Sequence, residues 1–198
     1  MRETEAAARV FLAELDAQRW RRVGELIHPD WAKLFWEQTL FVARMIGTQP
    51  EAQLAGTIFP DPLAVIGVET LVQAEALSPC ELVARWAQAL HPANREYGGR
   101  EVHAGSRAPS SGTQVRLART LLGCALTGEG SATAYYRTDW RAPGGSDPHR
   151  SITQVLALAE SAGRWWVTDV DFTGEGTGHL VIPDPQWGRL RSAFGTRR

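Results

Sequence analysis

Helices come first in this chain and long strand-like runs follow. That order predicts an α+β fold with the helices on one face of a mostly antiparallel sheet. Three observations carry the prediction. Apolar side chains recur at helical spacing through the first ninety or so positions, with helix-start signals between the repeats. Residues 114–127, 131–140, 151–160 and 164–172 are four strand-like runs. Gly128-Glu129-Gly130 and Ser161-Ala162-Gly163 are turns of hairpin size, so the strands follow one another in sequential antiparallel order.

The elements can be justified in turn. Thr4 is a candidate N-cap for a helix from Glu5, in which Ala7, Ala8, Phe11, Leu12 and Leu15 recur on one side. Trp20, Val23, Leu26 and Ile27 form a shorter helical pattern, and His28-Pro29 ends it because the residue before proline is pushed out of the α region. Asp30 is the expected N-cap of the next helix. Trp31, Leu34, Phe35, Gln38, Phe41, Val42 and Met45 mark its buried stripe, and Gly47 is its expected stop. Leu63 to Val68 reads as a short buried helix or an extended segment. Ser78-Pro79-Cys80-Glu81 is a helix start with a capping box and proline in the first turn. Leu82, Val83, Trp86 and Leu90 line that helix, and His91-Pro92 closes it. Residues 93–112 read as a long surface loop, and 142–150 as a longer connection between strands. The tail 184–198 places Trp187, Leu190 and Phe194 at helical spacing and carries four Arg against Asp184.

Composition narrows the functional classes. The 198 residues carry a net charge of -1, so nothing draws the chain as a whole to nucleic acid or an anionic membrane. No run of apolar residues is long enough to span a bilayer. The charged start Met1-Arg2-Glu3-Thr4-Glu5 lacks a signal-peptide core, and a cytoplasmic location is expected. Cys80 and Cys124 have no metal-like or redox spacing, and they read as reduced, partly buried small hydrophobes. His28, His91, His103, His149 and His179 form no HxH or HExxH pattern, so no metal is expected. "GEGTG" at 174–178 lacks the lysine of a phosphate-binding loop, and no cofactor is expected.

Three passages resemble a known family. "LDAQRWRRVGELIHPD" runs from the first helix through a short second one to HPD. "GVETLVQAEALSPCELVARWAQAL" is similar to a helical segment of some bacterial members. "SITQVLALAESAGRWWVTDVDF" is similar to a final hairpin with tryptophan just after the glycine turn. Together they resemble the nuclear transport factor 2-like superfamily, which includes ketosteroid isomerases and polyketide cyclases. The resemblance implies a strongly bent sheet wrapped against helices into a cystatin-like cone, whose open end is the ligand pocket. It implies one domain over residues 1–183, with 48–112 as a helical insertion plus loop and 184–198 as a basic tail.

On that footing the leading expectation is a small-molecule-binding module. An apolar or aromatic ligand would sit among Trp165, Trp166, Tyr136, Trp36 and Phe35. The enzymatic alternative is isomerase- or cyclase-like proton transfer. Asp169 or Asp139 would be the base, and Tyr135 or Tyr136 the hydrogen-bond donor. Tyr135, Arg137 and Asp139 share one strand face, opposite Ala134, Tyr136, Thr138 and Trp140. Asp169 and Asp171, two apart on the last strand, are expected to share a face with Trp165 and Val167, with Trp166, Val170 and Phe172 on the other. Which of those faces is the core decides whether the two acids are desolvated. A third expectation is a homodimer through the outer face of the sheet, where tryptophan, tyrosine and arginine favour contact.

Overall fold

The computed structural model describes residues 1–48, 61–91, 116–141 and 148–172, with the side chain of His149 excepted. The loop at 93–112, the "GEGTG" glycines, His103, His179 and the basic tail lie outside the described residues, as does most of the connection at 142–150. The fold is α+β. Six helices, α1 (Arg2–Asp16), α2 (Trp20–Glu25), α3 (Pro29–Thr48), α4 (Pro62–Val65), α5 (Leu71–Glu75) and α6 (Pro79–Leu90), precede four strands among the described residues. The strands β1 (Arg116–Gly128), β2 (Ser131–Arg141), β3 (Pro148–Ser161) and β4 (Arg164–Val170) form an open antiparallel sheet in sequential order.

The first helix begins earlier than its sequence suggests. Met1 is its N-cap, and Thr4 is a buried residue inside it rather than its cap. Glu3 and Glu5 still lie in the first turn, where carboxylates complement the positive end of the dipole. Thr4, Ala8, Phe11, Leu12 and Leu15 form the buried stripe, which faces β1 and β4. The start of α3 also differs from expectation. Asp30 lies within the helix, and His28 caps it, accepting the Asp30 N–H through Nδ1 at 3.2 Å. The stripe of α3 is rotated relative to the predicted one: Ala32, Phe35, Thr39 and Val42 are buried, and Trp31 is exposed. Gly47 does not stop the helix, which continues to Thr48.

The capping boxes behave as their chemistry requires. Ser78 Oγ accepts the Glu81 N–H at 3.3 Å, and Glu81 Oε2 accepts the Ser78 N–H at 3.0 Å. Thr70 and Gln73 make the same reciprocal pair at α5, a helix not among those expected from the sequence. Helix α6 lies on α2 and α3. It approaches α2 so closely that a Cβ at Gly24 would stand 2.3 Å from the Cys80 carbonyl oxygen.

Two features of the sheet position the site. Residues 26–28 run beside β4: His28 N–H donates to Val167 O at 2.8 Å and Val167 N–H to Leu26 O at 3.1 Å. This short parallel bridge covers an edge that would otherwise offer unpaired backbone groups. The second is a bulge in β4. Leu158 pairs with Val167 but Ala157 pairs with Asp169, so Thr168 is an extra residue. Alternation restarts one residue later. Trp165 and Val167 before the bulge, and Val170 and Phe172 after it, therefore all join the core.

Candidate functional site

The bulge decides the placement of the predicted residues. Trp165 lies on the helix side of β4 and packs against the core. Trp166 pairs with Ala159 on the outer side, where Arg164 stacks over its ring at 3.8 Å and His28 meets it edge-on at 6.2 Å. Asp169 sits opposite Ala157 on the outer side and is half-buried. Asp171 lies just beyond the strand, buried, and accepts the Gln154 side-chain N–H at 3.3 Å. Asp169 therefore lies off the face that carries Trp165 and Val167, while Asp171 is buried against the inner-face Gln154.

The other predicted residues are dispersed. Tyr135 and Asp139 share the outer face of β2, as their spacing requires. Asp139 is nonetheless enclosed by its neighbours, with Ser151 Oγ donating at 2.7 Å and Arg137 Nε at 3.1 Å. The Ser151 hydroxyl and then the Arg137 guanidinium hold its carboxyl below the ordinary aspartate value, against the opposing effect of desolvation. A general base needs the opposite shift. Tyr136 points into the core from the other face of β2. Phe35 is buried against Trp86, ring centroids 5.3 Å apart, and Trp36 donates its indole N–H to Leu77 O at 3.0 Å. Phe35 and Trp36 thus serve the contact of α3 with the segment leading into α6 and with α6 itself, away from Trp165.

A cleft of about 360 Å³ lies between α1 and β4. Ala6, Ala7, Val10 and Phe11 form its helix wall, Trp165 and Val167 its strand wall, and Leu26 one end. Glu3 and Arg164 stand at the polar rim. The cleft has a local cause in the sequence. Consecutive alanines leave α1 thin where it passes the large Trp165 ring, so helix and strand do not close on each other. Sequence reasoning had Trp165 but missed the Ala6-Ala7 pair opposite it.

A second hollow of about 580 Å³ runs between α2 and α6, with Trp20, Arg21, Glu25, Cys80, Glu81 and Arg85 among its lining residues. Its carboxylates are engaged. Glu25 pairs with Arg22 at 2.7 Å and Arg21 at 3.0 Å, and both it and Glu81, which takes the Ser78 hydrogen bonds, are held below their ordinary values. Burial, with Glu25 and Glu81 nearby, pushes the Cys80 thiol up, so it is a poor nucleophile at neutral pH.

The inner face of the sheet also carries polar groups. Arg119 on β1 gives Nη1 to Asp16 Oδ1 at 2.5 Å and its backbone N–H to Asp16 Oδ2 at 2.9 Å. Thr138 Oγ1 donates to Gln154 Oε1 at 2.6 Å. His91, at the end of α6, meets Trp20 edge-on with ring centroids 5.1 Å apart. Burial, reinforced by the Arg119 charge, pushes its imidazole down to about 3, so it is neutral at pH 7. Burial pushes the Tyr136 phenol well above its ordinary range.

Among the described residues, no group of three or more His, Cys, Asp or Glu could hold a metal ion. No described helix is long and apolar enough to cross a membrane. Comparison with protein-family models, curated proteins and solved structures finds no match to the chain, so the resemblance to the nuclear transport factor 2-like superfamily rests on the three sequence passages that suggested it.

Proposed function

We propose that this protein binds a small, mostly apolar or aromatic molecule in the cleft between α1 and β4. The position of Trp165 opposite Ala6 and Ala7 carries this reading. A half-buried indole facing two methyl groups offers an apolar slot, and the Glu3 carboxylate at the rim can orient one polar substituent. A volume of about 360 Å³ is within the roughly 300–1,000 Å³ range of small-molecule pockets. The test is a thermal-shift screen of aromatic compounds, followed by fluorescence titration of the wild type and Trp165→Phe to isolate the Trp165 signal. Ala7→Leu puts three further carbons into the slot and is expected to weaken every true hit at least about tenfold. Hits that bind Ala7→Leu as they bind the wild type would place the ligand elsewhere and end this reading.

A second reading is supported by a separate observation. Leu122 at a bulge in β1, Tyr135 on β2 and Val155 on β3 are 55%, 43% and 51% exposed and lie side by side on the outer face of the sheet. Three strands paired over roughly 36 Å and a fourth over roughly 23 Å, about 4.8 Å apart, present about 600 Å². A standard interface needs about 800 Å² from each partner. A homodimer through this face predicts concentration-dependent sedimentation that Val155→Lys shifts toward the monomer. A strict monomer at high concentration would count against it.

A further inference from the structure

The polar side chains on the inner face of the sheet mostly satisfy one another. Arg119, whose side chain is 2% exposed, is held by Asp16, and Thr138 and Gln154 form a relay that ends on Asp171. Tyr136 lies on the same face, one cross-strand pair away from Arg119 and Thr138 and directly opposite Gln154. It is fully buried, and its Oη has no hydrogen-bond partner among the described residues. An unmet buried hydroxyl destabilises a fold, and phenylalanine would fill the same space without that cost. Packing alone therefore explains the ring and leaves the hydroxyl unexplained.

We infer that Tyr136 is the polar anchor of an internal binding site for an uncharged, largely apolar molecule, to whose oxygen acceptor Oη donates. Two observations set the ligand class. The nearby cation is already neutralised by Asp16, and burial keeps the phenol protonated, so a charged ligand would find no unpaired countercharge beside Tyr136 among the described residues. Leu121 opposite Tyr136 on β1, Ala134 beside it on β2 and Leu156 on β3 are apolar, and Gln154, the polar residue opposite it on β3, is engaged by Thr138 and Asp171. Tyr136 does not line the cleft between α1 and β4, so this inference is independent of the function proposed for that cleft.

The test compares the wild type with Tyr136→Phe in two measurements. The first is thermal unfolding without ligand, where the variant is expected to melt at the same temperature or higher. The second is an NMR titration with acetophenone and with ethylbenzene, which lacks the carbonyl. The wild type is expected to prefer acetophenone by about fivefold or more, and Tyr136→Phe to lose that preference. Binding in the cleft would be indifferent to this substitution. A clearly lower melting temperature for Tyr136→Phe would mean that the hydroxyl already has a structural partner, a buried water included, and would overturn the inference. So would equal binding of the two probes by the wild type, a preference that survives in the variant, or no binding of either.

Discussion

His91 gives the fold a calculable sensitivity to acid. It ends α6, is 2% exposed, and is wedged between the Trp20 ring and the Arg119 charge. Its imidazole falls from the ordinary 6.5 to about 3 in the folded chain. The unfolded chain therefore takes up a proton near pH 6.5 that the folded chain refuses until about pH 3. Wherever the unfolded state binds more protons, stability falls as pH falls. The contribution is intact above about 6.5, declines through the window between the two values, and is fully lost below about 3. Linkage at these two values gives a loss of about 2 kcal/mol between about pH 7 and about pH 5, a sizeable share of a domain's roughly 5–15 kcal/mol. The assay is urea unfolding, followed by circular dichroism across that window, of the wild type and His91→Gln. Gln does not titrate, so the difference between the two proteins isolates His91 from the carboxylates, which protonate mainly at lower pH. The wild type should lose about 2 kcal/mol relative to the variant. A difference that stays constant within a few tenths of a kcal/mol would refute the claim that the imidazole is buried in its neutral form.

Two further substitutions probe the packing. Gly24→Ala places a Cβ 2.3 Å from the Cys80 carbonyl oxygen, which is backbone and cannot swing away. The helix-propensity gain of about 1 kcal/mol should be outweighed, leaving a net loss of about 2 kcal/mol in chemical denaturation; a stabilised variant would show that α2 and α6 are not so closely apposed. Asp16→Asn leaves the Arg119 guanidinium buried without its counter-charge and should cost about 3 kcal/mol. The double substitution with Arg119→Leu should recover part of that loss, and strict additivity of the two single effects would show that the pair does not interact.

Much of this architecture was legible because it follows from local chemistry. The Ser78–Glu81 box, the end of α6 at His91 and the two glycine turns each depend on a few neighbouring residues, and each stands where its chemistry places it. What was not legible depends on partners distant in sequence. The His28-Pro29 pair marks the end of one helix by local rules, yet His28 also caps α3 and docks on β4 through Val167. Hydrophobicity alone places Trp31 in the core, but the face of α3 that meets α6 is the one that carries Phe35, and it leaves Trp31 exposed. The Asp16–Arg119 pair joins residues 103 apart, and no spacing rule connects them.

The last strand shows the difference most sharply. Strict alternation poses a choice between a core face with Trp165 and Val167 and one with Val170 and Phe172. A single extra residue at Thr168 lets both pairs face inward. The bulge has no signature in the amino-acid pattern other than that contradiction: apolar residues at odd positions before it and at even positions after it. Hydrophobic residues on both phases of one strand are thus evidence for a bulge rather than for an ambiguous face. The same change of phase sets the cleft. Without it, burying Val170 and Phe172 would turn Trp165 outward, away from Ala6 and Ala7, and would bring Trp166 inward in its place. The proposed binding slot therefore depends on the bulge as much as on the tryptophan, and deleting Thr168 should abolish the Trp165 fluorescence response to any cleft ligand.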